Sequence, residues 1–290
     1  MNAPKISIIT ACYNHASFLR ETIQSVLGQN YPNLEYIIMD GGSSDGSVEI
    51  IREYERHLAY WQSERDGGMY NAINAGMRRA SGEILAWLNA DDYYLPGTLH
   101  FAAAQFPSTE TGLLFGNAFH FVQDRAASWG SDVVGEHARK DLFKYDYIIQ
   151  PASFWTRGVW EKVGELDESY KIVADWEWFA RAKRAGISMR PVPRYLAGYR
   201  IVPTSKTQAG GAARNLECAR ILRENVNDEY ANIFLRVAEQ RDLILPLRKY
   251  LRWSHLTRLE NFVFRLTFPN IFARVPVTDV WDMIETIGYS

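Results

Sequence analysis

The chain has 290 residues, 47% of them apolar and 23% charged, with a formal net charge of −2. These values fit one large globular domain, with or without an appendage, and give no reason to expect nucleic acid as a partner. Cys12 and Cys218 stand far apart without metal-ligand spacing, which excludes a cysteine metal cluster and reads as two thiols in a reducing compartment.

The first hundred residues alternate strand and helix patterns. Residues 6–10 read as a strand, and Leu19, Ile23, Val26 and Leu27 then share one helical face. A second strand over 35–39 ends at Asp40-Gly41-Gly42, and Ser47 is placed to cap a helix reaching His57. A short strand near 59–61, a helix over 69–79 and a buried strand over 84–88 complete the series. This alternation predicts a mostly parallel sheet flanked by helices, an α/β fold in which ligands bind beyond the carboxyl ends of the strands.

Further along, 113–117 reads as a strand, 130–140 as a polar loop and 176–185 as a helix stopped by Gly186. Residues 211–240 read as helical, with Leu216, Leu222 and Val226 as apolar anchors. These patterns divide the chain into a domain over 1–210 and a helical C-terminal extension over 211–290. The tail over 241–274 carries Arg241, Arg248, Lys249, Arg252, Arg258, Arg265 and Arg274 against Asp242 and Glu260, with Leu, Trp and Phe interleaved. Two readings stand side by side: a surface for anionic lipid, or a lid packed on the domain with its charges solvated. The N-terminus lacks the pattern of a signal peptide, and no apolar run reaches the roughly 18–20 residues of a membrane span. A cytoplasmic protein is expected, with peripheral contact at the inner face of the cell membrane left open.

Asn89-Ala90-Asp91-Asp92 follows the buried strand over 84–88. Adjacent carboxylates at such a strand end are costly without a partner, and a divalent cation that also binds phosphate is a natural one. A solvated acidic turn is the competing reading. Thr10 to Asn14 and Asp40 to Asp45 fall at equivalent strand ends, which favours a shared site.

The ordered series Ile8-Ile9-Thr10-Ala11-Cys12-Tyr13-Asn14, Asp40-Gly41-Gly42-Ser43-Ser44-Asp45-Gly46-Ser47, Ser63-Glu64-Arg65-Asp66-Gly67-Gly68-Met69-Tyr70-Asn71-Ala72-Ile73-Asn74-Ala75-Gly76 and Asn89-Ala90-Asp91-Asp92 resembles glycosyltransferase family 2. The resemblance covers roughly residues 5 to 205 and implies the GT-A fold with a nucleotide-sugar donor, UDP favoured over GDP or dTDP. It implies that Thr10, Tyr13, Asn14, Asp40, Gly41, Asp66 and Asn74 serve the donor. Asp91 would hold Mn²⁺ or Mg²⁺, and Asn89, Ala90 and Asp92 would contact the donor. In the family's Asp-x-Asp motif the first acid is here Asn89. Asp175 corresponds to the second residue of the family's Glu-Asp pair and is the implied catalytic base, with Ala174 in place of the Glu and Glu177 as the rival. A helix cap is the structural role open to Asp175. Gln150 and Trp176 would frame the acceptor, Trp176 and Trp178 being either stacking surfaces or core. Arg200 and Lys206 would close over the diphosphate from a mobile loop.

The function so implied is inverting, metal-dependent transfer of a sugar to a hydroxyl of a glycan or lipid-linked acceptor, in cell-surface polysaccharide synthesis. Two alternatives remain at this stage: a non-catalytic nucleotide-sugar-binding protein, and a nucleotidyltransferase. Against the latter, Tyr13-Asn14-His15-Ala16 lacks the Gly-rich basic loop such enzymes carry after the first strand.

Overall fold

A computed structural model describes residues 3–106, 111–122, 128–202, 210–254, 256 and 259–287. The chain forms two compact units, Met1–Arg139 with Tyr147–Val202, and Lys140–Asp146 with Pro203–Ser290.

The first unit is built on β1 (Ile6–Cys12), whose seven residues are all buried. It pairs in parallel with β2 (Leu34–Asp40) on one side and β4 (Ile84–Trp87) on the other, and β2 pairs in parallel with β3 (Tyr60–Ser63). A strand covered on both faces is mostly apolar, and Ile6, Ile8 and Ile9 supply that here. Helix α1 (Ala16–Leu27) turns Leu19, Ile23 and Val26 inward, each worth on the order of 1.5–3 kcal/mol when fully buried. Helices α2 (Ser47–Tyr54) and α3 (Met69–Arg79) follow β2 and β3. At Gly76 an added Cβ would meet the Ile9 side chain at 2.6 Å, so only glycine lets α3 lie this close to β1.

Beyond β4 the parallel pattern stops. After β5 (Tyr93–Tyr94) and α4 (Thr98–Gln105) come β6 (Gly112–Val122), β7 (Ser128–Gly130), α5 (Val133–Arg139), β8 (Ser153–Thr156), α6 (Arg157–Val163), α7 (Ala174–Arg184) and β9 (Ser188–Ile201). The sheet runs β3-β2-β1-β4-β8-β6-β9-β5, with β7 on β6. Strand β8 is antiparallel to both β4 and β6, while β9 runs parallel to β6 with register shifts at Phe115 and Asn117. The expected α/β layout is present as a mixed sheet, parallel from β3 to β4 and again between β6 and β9. The strand order reverses about β1, so the loops after β1 and β4 open side by side, and Leu88 N donates to Ile9 O at 2.8 Å.

Two local expectations need correction. The polar stretch 130–140 holds helix α5, because Asp132 Oδ1 accepts from Gly135 N at 3.1 Å and Asn117 Oδ1 accepts from Val133 N at 2.9 Å. Ser47 does not cap α2 through its side chain; its hydroxyl donates to Asp45 Oδ1 at 2.6 Å. The aromatic content serves packing near the sheet centre: Trp87, Trp155 and Trp178 interlock, with ring centroids 5.1 Å apart for Trp87–Trp155 and 4.8 Å for Trp155–Trp178.

The second unit is helical: α8 (Gly211–Asn225), α9 (Asp228–Trp253), α10 (Glu260–Thr267), α11 (Pro269–Phe272) and α12 (Val277–Ile287). The Asn227 side chain accepts from Tyr230 N and so starts a new helix where a single one was expected. Leu222 is buried as expected, whereas Leu216 faces solvent and Cys218 and Ile221 take its place inside. Among the described residues no helix is long and apolar enough to cross a membrane.

Glu35 ties the base of the first unit together. Its carboxylate accepts from Ser7 Oγ at 2.5 Å, Ser81 N at 2.6 Å and Ser81 Oγ at 2.6 Å, and pairs with Lys5 Nζ at 2.9 Å. Burial alone would raise its pKa, but these donors outweigh burial and lower it from 4.5 to about 2. A carboxylate more acidic in the folded than in the unfolded chain contributes stability above pH 4.5 that is lost as pH falls toward 2. The contribution is on the order of 3 kcal/mol at neutral pH. In urea unfolding, the stability gap between the native chain and Glu35→Gln should narrow by about 2 kcal/mol between neutral pH and pH ~3. A gap that does not change with pH would refute this account of Glu35.

Candidate active site at the carboxyl ends of the strands

The loop after β1 carries Tyr13, 61% exposed, and Asn14, whose φ of 55° lies in the left-handed region. Asn tolerates that conformation better than most residues. It is held there because Asn14 N donates to Ser43 Oγ at 2.8 Å and Asn14 Oδ1 accepts from Ser44 N at 2.9 Å. The loops after β1 and β2 are thus one hydrogen-bonded unit. Asp45 extends it: its carboxylate accepts from Ala16 N at the start of α1 and from Ser47 N. Burial pulls the Asp45 pKa upward, but the Ser47 and Ala16 donors prevail and hold it below the usual range.

Asp40 is buried at the end of β2. Its Oδ2 accepts from Gly42 N, Ser43 N and Ser63 Oγ, and its Oδ1 from Ser43 Oγ. An added Cβ at Gly41 would meet the Asp66 carboxylate at 3.0–3.3 Å, so the missing side chain is what admits Asp66 beside the β2 end. Asp66 Oδ1 also accepts from Gly68 N at 2.8 Å. Tyr13, Asn14, Asp40, Gly41 and Asp66 are therefore brought together. Cys12 beside them is inert, its thiol pushed up to about 12 by burial and then by Asp40.

The acidic loop after β4 is held from two sides, by Thr22 and by Arg200. Asp92 is buried, and its Oδ1 accepts from Arg200 N at 2.9 Å. The Thr22 hydroxyl reaches Ala90 O at 3.0 Å and Asp92 O at 2.7 Å. Burial raises the Asp91 carboxyl, and burial together with the Asp91 charge raises Asp92 further. Asn89 Oδ1 and Asp92 Oδ2 are buried and meet no hydrogen-bond donor among the described residues. Two orphaned oxygens and two crowded carboxylates are a hard-oxygen donor set, which fits Mg²⁺ or Mn²⁺. No group of three or more His, Cys, Asp or Glu gathers to cage an ion among the described residues. That pattern fits a cation held jointly by one or two side chains and the phosphates of a ligand.

Five expected contacts prove to be internal. Thr10 is fully buried, with its Oγ1 3.0 Å from Tyr36 Oη, so it supports β1 and does not line a pocket. Asn74 is fully buried on α3 and spends its amide on Leu166 O and N and on Glu168 Oε1. Trp176 is 1% exposed, too enclosed to stack on a sugar, and Trp178 is likewise core. Arg200 is buried on β9: its guanidinium lies 4.6 Å from the Phe18 ring and 4.7 Å from Phe121, donates to Asp91 O and pairs with Glu21. It clamps the acidic loop from behind; it does not stand free to close on a diphosphate. Lys206 and the rest of the expected closing loop over 203–209 lie outside the described residues. Gln150 is also buried; its Nε2 donates to Trp87 O at 2.8 Å, and its Oε1 is 3.5 Å from Asn89 Nδ2. Its amide steadies the acidic loop after β4.

Asp175 lies in the first turn of α7, partly exposed, and accepts from Trp176 N at 3.0 Å. The start of that helix is fixed by Tyr70, whose hydroxyl donates to Ile172 O at 2.7 Å and accepts from Ala174 N at 3.2 Å. The rival base Glu177 is buried and grips Arg181 through two hydrogen bonds of 3.0 and 2.7 Å. Neither Tyr70's positioning role nor Glu21's grip on Arg200 could be read from spacing. Both depend on which loops the fold brings together.

The family description "Glycosyl transferase family 2" matches residues 7–157, which span the strand-end loops of β1, β2 and β4. The chain belongs to this family. An uncharacterized glycosyltransferase of Mycobacterium tuberculosis is 34% identical over 186 residues, covering 62% of this chain and 70% of that one. A PGL/p-HBAD biosynthesis glycosyltransferase of Mycobacterium bovis is 30% identical over the same length and coverage. Among solved structures, S. aureus TarS 1-349 in complex with UDP superposes with a TM-score of 0.60 at 17% identity, over 98% of this chain and 90% of that one. The chain spans 55% of the longer TarS structure. The mannosyltransferase PcManGT of Pyrobaculum calidifontis, in complex with GDP-Man and Mn²⁺, gives a TM-score of 0.62 at 17% identity over 99% of this chain and 86% of that one. At such identities the likeness is one of fold. This family 2 enzyme is a glycosyltransferase with the GT-A architecture.

Proposed function

We propose that this glycosyltransferase moves a sugar, with inversion, from a nucleoside diphosphate donor to a hydroxyl of a glycan or lipid-linked acceptor. UDP is the favoured nucleotide, and cell-surface polysaccharide synthesis on the cytoplasmic side is the proposed setting. The observation that carries the reading is the acidic loop: Asp91, with Asn89 Oδ1 and Asp92 Oδ2 lacking a donor among the described residues, at the junction of β1 and β4. Tyr13, the backbone of Gly41 and Gly42, and Asp66 would hold the nucleoside end. Asp91 would be the charged ligand of Mn²⁺ or Mg²⁺, with Asn89 as a neutral oxygen ligand. When bound, the cation neutralises charge building on the departing diphosphate.

Asp175 is the base in this reading. It accepts the acceptor hydroxyl's proton while that oxygen forms its bond to the anomeric carbon and the bond to the diphosphate oxygen breaks. Glu177 is withdrawn from the role by its pairing with Arg181.

A thermal-shift panel of UDP-, GDP- and dTDP-sugars with Mn²⁺ tests the donor side. A cognate ligand at roughly a hundredfold over its Kd adds about 2.7 kcal/mol, a rise of about 4–5 °C for a chain this size. No shift with any nucleotide in the presence of Mn²⁺ would refute the proposal, and a larger shift with GDP than with UDP would overturn the nucleotide preference.

A further inference from the structure

Helix α9 carries two apolar stripes. Val237, Ile244 and Leu251, seven positions apart, are buried within the second unit. Leu243, Tyr250 and Trp253 form a second stripe, rotated roughly a third of a turn from the first on a 3.6-residue helix. All three are exposed, Trp253 by 77%. Helix α10 repeats the arrangement: Phe264 is buried, while Phe262 and Leu266 are 62% and 66% exposed on another face. Leu256 and Leu259, between the helices, are exposed as well. Among the described residues, seven of the twelve large apolar side chains that stand exposed fall within 243–266. Solvated helices normally show one apolar stripe, so a second, concentrated in one segment, calls for an occupant.

The charge pattern says which. Residues 243–266 include Arg248, Lys249, Arg252, Arg258 and Arg265 but only one acid, Glu260. That acid is buried and taken up by Arg248 at 3.1 Å. Lys249, Arg252 and Arg265 are exposed, whereas Arg258 lies outside the described residues. Arg252 also reaches Glu260, at 3.8 Å, so Lys249 and Arg265 are the exposed cations that carry the pattern. Exposed Leu, Phe, Tyr and Trp flanked by such cations are the chemistry of an interfacial helix, with apolar side chains among the acyl chains, aromatics at the headgroups and cations on anionic phosphates.

We propose that the α9–α10 segment, through Leu243, Tyr250, Trp253, Phe262 and Leu266 with Lys249 and Arg265, docks this protein on an anionic lipid surface. The inference stands apart from the transfer site, so its failure leaves the proposed reaction untouched.

Sedimentation of the full chain with phosphatidylcholine vesicles, with and without phosphatidylglycerol, tests it. Binding is expected only with the anionic lipid and should weaken as salt rises. Lys249→Glu/Arg265→Glu should weaken it by roughly twenty- to thirtyfold or more, about fivefold for each cation lost. Trp253→Glu/Phe262→Glu should weaken it by more than about tenfold. Because all four side chains face solvent, both variants should keep the native melting temperature and circular dichroism. The proposal is overturned if the anionic vesicles do not sediment the native chain, or if both folded variants bind them as the native chain does. It is overturned equally if light scattering shows a dimer that Trp253→Glu/Phe262→Glu dissociates while the native chain ignores lipid, since a second copy would then be the occupant.

Discussion

Asp175→Asn is expected to lower kcat by about 10²–10⁴-fold while leaving nucleotide affinity within a few-fold. The carboxylate sits in the first turn of α7, partly exposed, in a segment that Tyr70 pins from α3. Asn keeps the size and most of the local hydrogen bonding at that helix start, so the loss should appear in turnover and hardly in stability. Glu177→Gln supplies the contrast. Its carboxylate is buried against Arg181, and removing one partner of such a pair leaves an uncompensated charge, costing on the order of 3 kcal/mol of stability. Chemistry should survive in that variant once it is folded. Single-turnover transfer, with unfolding midpoints measured in parallel, separates the two outcomes. If Asp175→Asn turned over normally and Glu177→Gln were inactive but fully stable, the assignment of the base would be reversed.

The second large effect is expected at Asp91. Asp91→Ala should cost about a thousandfold or more in kcat/KM, corresponding to the several kcal/mol that a cation supplies to a departing diphosphate. The loss should persist at saturating Mn²⁺, because no third acidic or histidine ligand gathers nearby among the described residues to take over. Asn89→Asp is the informative partner. It restores an acid at the first position of the loop and, with Asp91 intact, should tighten Mn²⁺ binding. Yet three carboxylates would then crowd a segment where Asp91 and Asp92 are already raised by burial. The metal-free protein should lose stability as a result. If Asp91→Ala retained metal-dependent turnover, the metal would have to be placed elsewhere.

Much of the first unit was legible in the sequence because its signals are local. A fully buried, mostly apolar β1, helical spacing in α1 and α3, and turn residues at each strand end fix elements whose type does not depend on distant partners. The mixed half of the sheet was less legible. Strand β8 is only four residues long and takes its antiparallel place between β4 and β6 through pairing that no local pattern announces. Helix α5 was hidden because its start depends on Asn117, sixteen positions away in sequence.

The site shows the same division. Asp40, Asp66 and Asp91 could be chosen from type and position, since carboxylates at strand ends are few. Thr10, Asn74 and Trp176 were chosen by the same reasoning, yet their side chains point inward, as alternation along β1 and the faces of α3 and α7 require. Arg200 is the most instructive case. A cation after a strand invites assignment to a phosphate, but Glu21, Phe18 and Phe121 converge on it only in three dimensions. Its role is to hold the Asp91 carbonyl and the Asp92 carboxylate in place.

The central claim is that the acidic loop binds a cation together with a nucleoside diphosphate. Calorimetric titration of UDP into the protein, with Mn²⁺ and again with EDTA, tests it most directly. The account predicts affinity at least about tenfold higher with Mn²⁺, since the diphosphate would otherwise face two carboxylates, and no such gain in Asp91→Ala. Equal UDP affinity with and without Mn²⁺, or a Mn²⁺ gain that survives Asp91→Ala, would contradict it.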